Sequence, residues 1–178
     1  MVETAEIVQL LKRVHQTREF TNAPVPPQAL ANILDVARWT GSARNVQPWH
    51  FVVIEDRGEL DELAAIGPSA GFFGSAPLVV AIVIDQSTRA PAFDEARVVE
   101  RMFIAAAAHG LSAGLGTFKP DHIALASARL RVPEGFAFRA GVAIGTAAPR
   151  MAANAATTPA RKPLESIVHY GTYGQAQR

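Results

Sequence analysis

Residues 41–54 read Gly41-Ser42-Ala43-Arg44-Asn45-Val46-Gln47-Pro48-Trp49-His50-Phe51-Val52-Val53-Ile54. The first half is rich in residues that favour tight turns and hydrogen-bond their own backbone. The second half, from Trp49 on, is apolar apart from His50. An apolar run of this length, bounded by turn formers, predicts a strand buried on both faces. Ser42, Asn45 and Gln47, just ahead of it, have two readings. Either they satisfy their own turn, or they offer hydrogen-bonding groups to a planar heterocycle.

Upstream, Ile7, Leu10, Leu11 and Val14 fall at i, i+3, i+4 and i+7, one stripe of a helix. Where that helix breaks stands His15-Gln16-Thr17-Arg18-Glu19-Phe20. This cluster is either a solvated helix end or an anion pocket, since the arginine fork matches phosphate oxygens. Pro24-Val25-Pro26-Pro27 forms an elbow, and Pro27 suits the first turn of a second helix carrying Leu30, Ile33, Leu34 and Ala37. Gly41 is its stop.

Downstream, Asp56-Arg57-Gly58 predicts a turn and residues 60–66 a short helix, while 69–74 are loop-like. Residues 78–84 predict a second strand. Residues 93–109 predict a helix that is apolar all round from Met102 to Ala108, hence central and covered on every side. Residues 110–116 read as a small-residue loop, Pro120 opens a helix ending near Leu130, and residues 138–144 predict a third strand. Residues 146–160, rich in Ala, Thr and Pro, read as an extended linker, with residues 161–178 a C-terminal tail. Helices and strands intermix without strict alternation, which gives an α+β domain spanning residues 1–178.

Composition narrows the function. The 178 residues include 17 Lys+Arg and 16 Asp+Glu, a net charge of +1, so the strong basic field that nucleic acid requires is missing. Charged residues are 19 %, below the usual ~25 %, which points to a large buried interface. Cysteine is absent, which excludes disulfides, thiolate nucleophiles and cysteine metal sites. The histidines do not pair at H-E-x-x-H spacing, and His50, His109, His122 and His169 each have ordinary structural explanations, so no metal site is expected. No Walker loop or G-x-S-x-G elbow occurs, and the glycines at 110, 114 and 116 follow a helix instead of a strand and miss the dinucleotide fingerprint. No apolar run approaches the ~18–20 residues of a membrane span, and the acidic N-terminus does not look like a secretory signal. A cytoplasmic protein without membrane association is expected.

Taken in order, His15-Gln16-Thr17-Arg18-Glu19-Phe20, the proline elbow, and Ser42-Ala43-Arg44-Asn45-Val46-Gln47-Pro48-Trp49-His50-Phe51 resemble the FMN-dependent nitroreductase family. Ala76-Pro77-Leu78-Val79-Val80, Ala106-Ala107-Ala108-His109-Gly110-Leu111, Val142-Ala143-Ile144-Gly145 and Arg161-Lys162-Pro163-Leu164-Glu165 extend the likeness along nearly the whole chain. The resemblance implies a nitroreductase-like sandwich: a mixed, mostly antiparallel sheet flanked by helices, with a C-terminal arm exchanged in a homodimer that binds FMN at its interface. It implies an NAD(P)H-dependent oxidoreductase reducing a nitroaromatic, quinone or similar acceptor by a ping-pong hydride mechanism, with no catalytic side chain. Flavin-binding residues would be His15, Gln16, Arg18, Ser42, Ala43, Asn45, Gln47, Gly114, Leu115, Gly116, Arg161 and Lys162. Val14, Gln16, Gly41 and Leu115 depart from the family pattern, and Val14 cannot hold phosphate, so either more of that load falls on Arg18 and Arg161 or Arg13 shifts in. The alternatives are a flavin-sequestering dimer with little turnover and a flavin-fragmenting or dehalogenating relative.

Overall fold

A computed structural model of the chain describes residues 3–149 and 161–175. The chain divides into two compact units, Met1–Ala148 and Pro149–Arg178. The first contains α1 (Thr4–Arg13), α2 (Pro27–Arg38), β1 (Trp49–Ile54), α3 (Arg57–Ile66), β2 (Leu78–Asp85), α4 (Pro91–Ala108), β3 (Ser112–Thr117), α5 (Pro120–Arg129) and β4 (Phe136–Gly145). Prolines at the first turns of α2, α4 and α5 start those helices where a missing N–H costs nothing. In the second unit, a short 3-10 turn spans Leu164–Ser166.

The four strands form one sheet in the order β1-β2-β4-β3, and all three pairings are antiparallel. A parallel bridge from Gln16 to Ala113 extends it beyond β3. Each face of the sheet has its own core. Leu78, Val80, Ile82 and Ile84 pack with Ile33 and Ala37 of α2 and with Val98, Met102 and Phe103 of α4. Val79, Ala81 and Val83 pack with Leu60 and Leu63 of α3 and with Phe73, Phe118 and Ala126. The two-residue period of β2 thus separates helix layers on opposite faces of the sheet.

The other central strand does not keep one parity. Val142 and Ile144 of β4 face the α2/α4 side, yet Phe138 faces the α3/α5 side. Ile82 pairs with Ala140 and Val83 with Phe138, so Arg139 is an extra residue, a β-bulge. The bulge restores Phe138 to its core. It also lets Arg139 reach α4, where Nη2 donates to Glu95 Oε2 at 2.9 Å. Glu95 is buried, and its Oε1 has no hydrogen-bond partner among the described residues. Burial pushes the Glu95 carboxyl above its ordinary value, with Arg139 opposing the shift.

Several sequence expectations are corrected. Residues 110–116 are not a small-residue loop, because Ser112 onward pairs with β4 as strand β3, and the sheet has four strands instead of three. Glycines carry almost no strand propensity of their own, and here cross-strand pairing decides the matter. Residues 69–74 are part of a 3-10 segment, Pro68–Ser75, that buries Ala70 and Phe73. The strand β1 lies at the sheet edge, with His50 and Val53 exposed, so it is not buried on both faces. An apolar run alone cannot distinguish a central strand from an edge strand. The helix α4 is covered around Met102–Ala106, but Phe93 near its start is 76 % exposed. The linker expected over 146–160 lies mostly outside the described residues. At its start, Thr21 N–H donates to Thr146 O and Ala148 N–H to Glu19 O, which ties 146–148 to residues 19–21.

Candidate functional site

The segment after α1 is built onto the outer edge of β3. The helix ends because Val14 turns extended (φ −61°, ψ 124°). Thr17 N–H then donates to Ala113 O at 2.9 Å, making a further rung beside the sheet. The Gln16 carboxamide makes the next one: Nε2 donates to Leu115 O at 2.9 Å, and Leu115 N–H donates to Oε1 at 3.0 Å. Backbone and side chain approach this closely only because residue 114 is glycine. A Cβ there would collide with Thr17 O and come within 2.8 Å of the Phe72 ring.

Beyond this clip opens a cleft of about 650 Å³ lined by Gln16, Arg18, Pro68, Ser69, Leu115 and Thr117. The volume is in the range of small-molecule sites. Arg18 is exposed, and no carboxylate lies within ion-pair distance of it among the described residues. The lining holds no acid. With the Gln16 carboxamide engaged on Leu115, it offers a guanidinium and two hydroxyls, a donor set suited to an anion with several oxygens. Along β3, Ala113 O and both backbone groups of Leu115 face away from β4, while Phe118 N–H turns inward to Arg139 O. That alternation aims the backbone N–H and C=O of Thr117 outward, toward the cleft.

The other expected residues are placed as follows. His15 is exposed, with Nδ1 2.7 Å from Arg13 O, and it lines a separate small hollow of about 40 Å³ with Arg13, Val14 and Phe103. Gly114 and Gly116 face the protein interior; a Cβ on Gly116 would meet the Phe73 ring at 2.5 Å. Of the 114–116 trio, Leu115 alone lines the cleft. Arg161 and Lys162 lie in the second unit, both exposed.

Ser42, Ala43, Asn45 and Gln47 form a strained turn. Arg44, Asn45 and Gln47 all have positive φ (54°, 56° and 49°), a conformation that costs a non-glycine residue roughly 1–3 kcal/mol and concentrates at functional sites. The turn is held from inside. Gln47 N–H donates to Ser42 Oγ at 2.8 Å, Gln47 Nε2 to Asn45 O at 3.3 Å, and Val46 N–H to Ala43 O at 3.2 Å. The side chains of Ser42 and Gln47 thus satisfy their own turn. The side chains of Arg44 and Asn45 make no hydrogen bond among the described residues. Ahead of the turn, Gly41 leaves room for Arg97, whose Nη2 would lie 2.9 Å from a Cβ on residue 41. Gln47 lines a second groove of about 620 Å³ between α2 and β1, with Arg38, Trp49 and His50. Among the described residues, this groove and the Arg18 cleft share no lining residue.

Sequence reasoning missed Pro68, Ser69 and Thr117. The first two stood in apparent loop, and Thr117 would have followed from strand alternation had β3 been recognised. Among the described residues no cluster of His, Asp and Glu could hold a metal ion, and no helix is long and apolar enough to cross a membrane.

Comparison with known proteins places the chain by sequence pattern and by fold. A family model described as the nitroreductase family matches residues 11–70, which contain both the 15–18 segment and the 42–47 turn. A Methanothermobacter thermautotrophicus protein provisionally named an NADH dehydrogenase/NAD(P)H nitroreductase is 27 % identical over 86 residues, 48 % of this chain and 45 % of that protein. The matched stretch therefore spans less than half the length of this curated relative. Among solved structures, a Bacteroides thetaiotaomicron protein under the same provisional name superposes with a TM-score of 0.85 at 23 % identity, covering 97 % of this chain and all of that one. A Bacteroides fragilis nitroreductase with bound FMN superposes with a TM-score of 0.69 at 20 % identity, covering 88 % of this chain and 99 % of that one. The chain has the nitroreductase fold along nearly its whole length and carries the sequence pattern of the nitroreductase family over residues 11–70.

Proposed function

We propose that the protein is an FMN-dependent oxidoreductase that uses NAD(P)H to reduce a small aromatic or quinone-like acceptor, working as a homodimer. The observation that carries this reading is the Arg18 cleft. Among the described residues, a guanidinium without an ion pair and two hydroxyls line it without an opposing carboxylate. A flavin phosphate carries about −1.5 to −2 charge, and this donor set fits it. FMN, when bound, supplies the hydride chemistry.

The chain's own residues bind and orient. Arg18 offers a bidentate fork to phosphate oxygens, and Leu115 gives an apolar wall. The outward Thr117 N–H and C=O suit the polar edge of a heterocycle. The cleft lining contains no His, Asp or Glu, so no side chain there is placed to act as general acid or base. Two substrates alternating in one open cleft make a ping-pong scheme. By resemblance, Arg161 and Lys162 add cationic charge for the phosphate.

Dimerisation is supported by surfaces left open in the described protomer. The helix α1 buries none of its residues and exposes Ile7, Val8 and Leu11. A second copy would cover that face, and by resemblance the 42–47 turn would line the flavin ring at the dimer interface. A second reading, a flavin-sequestering dimer with little turnover, is favoured by one observation: Gln16 spends its carboxamide on Leu115, leaving Arg18 as the only cation lining the described cleft. Adding NADH and NADPH anaerobically to the flavin-loaded protein separates the two. Bleaching followed by reoxidation with a quinone supports the oxidoreductase, and a flavin that stays oxidised supports sequestration.

A further inference from the structure

Gln16 stands where a phosphate-contacting residue is expected, yet its carboxamide is engaged on the Leu115 backbone. We infer that Gln16 is a positioning residue: its carboxamide acts as a surrogate strand residue on the β3 edge and thereby sets where the Arg18 guanidinium stands over the cleft. This rests on the flavin reading above.

Three observations carry the inference. First, the carboxamide takes both backbone groups of Leu115, donating to the carbonyl at 2.9 Å and accepting from the N–H at 3.0 Å, as a paired strand residue would. Second, the backbone of the same residue bridges to Ala113, and Thr17 N–H donates to Ala113 O, so rungs 113 and 115 are both filled from a two-residue stretch. Third, Arg18 follows at once and lines the cleft beside Thr117, the next outward rung. An extended chain offers one outward rung per two residues. Rung 115 would otherwise require backbone from residue 18, which would draw Arg18 onto the strand edge. By filling rung 115 from a side chain, Gln16 lets the chain leave the edge and leaves Arg18 exposed over the cleft. An exposed arginine side chain has considerable rotamer freedom to lose, so a fixed departure point matters for holding an anion.

The test uses the full-length chain stripped of flavin and titrated with FMN and with riboflavin, which lacks the phosphate. The ratio of the two affinities isolates the phosphate contribution. Gln16→Ala is expected to lower this ratio about tenfold, the scale of one charge-assisted contact. In an Arg18→Ala background the same substitution is expected to change it little, because Gln16 acts through Arg18. Additive losses would make Gln16 a direct phosphate ligand and overturn the inference, as would an unchanged ratio in Gln16→Ala. Where Gln16→Ala does not fold, Gln16→Asn keeps the amide and removes its reach, with the same expected outcome. Exchange of the Leu115 amide in the unliganded protein gives a readout independent of flavin: protection in the wild type that is lost in the variant supports the clip, and a fast-exchanging wild-type amide overturns it. A wild type that binds neither flavin would overturn the functional reading, and the Leu115 amide would then decide the clip alone.

Discussion

The carbonyl oxygen of Thr17 occupies the space where a side chain on residue 114 would begin. The approach is between two backbones, so neither can step aside without unpairing Thr17 from Ala113. Gly114→Ala is therefore expected to destabilise the protein by about 2–4 kcal/mol and to detach the 15–18 segment, by the overpacking mechanism. Gly41 provides the control. There the added Cβ would meet only the far end of the Arg97 side chain, which can swing away. Gly41→Ala is expected to cost less than about 1 kcal/mol. Urea unfolding of both variants checks the contrast, and equal losses would refute it.

Glu95 predicts a pH dependence of unusual sign for a carboxylate. Its folded value is raised, chiefly by burial, so its contribution to stability is present below the ordinary glutamate value and is lost as pH rises through the raised one. Glu95→Gln removes that titration while keeping an acceptor for Arg139. The unfolding free energy of the wild type minus that of Glu95→Gln is expected to increase as pH falls from neutrality toward about 4.5. A difference that shrinks over that range would mean the Arg139 ion pair outweighs desolvation.

Arg18 is exposed and lacks an ion pair among the described residues. Removing its side chain should leave unfolding stability within about 0.5 kcal/mol of the wild type, as at other unpaired surface positions. FMN affinity should nevertheless fall by about tenfold or more, since a charge-assisted bidentate contact is lost. Thermal melts and fluorescence titration measure the two quantities separately. Undiminished FMN retention would remove Arg18 from the site.

The strain in the 42–47 turn is testable without any ligand. Arg44 has φ 54°, and its guanidinium makes no hydrogen bond among the described residues. Arg44→Gly should stabilise or leave the fold unchanged, within about 1 kcal/mol, because glycine reaches the left-handed region freely. Arg44→Val should destabilise by about 1–2 kcal/mol, because a β-branched residue is poorly tolerated there. Equal effects would argue that the turn relaxes in solution.

Much of this architecture was legible in the residues. The helical stripe of Ile33 and Ala37, the apolar runs of β1 and β2, and the proline starts of α2 and α5 all express local preferences that tertiary packing reinforces. The strand β3 was illegible because Gly114 and Gly116 are chosen for what they let approach, Thr17 O and the Phe73 ring, and not for strand propensity. The Arg139 bulge was hidden for a related reason: a single inserted residue reverses parity, and only the pairing partner reveals it. For the candidate site, motif order singled out the 15–18 and 42–47 segments. Motif order could not show that Gln16 turns inward to Leu115, because that depends on a rung contributed 99 positions away.

The most direct measurement is the visible absorption of the purified full-length chain before and after addition of FMN, with its mass in solution determined in parallel. The account predicts a yellow dimer, or a colourless one that takes up FMN to one flavin per chain and bleaches with NAD(P)H. A monomer that stays colourless after FMN is added and removed by gel filtration would contradict it.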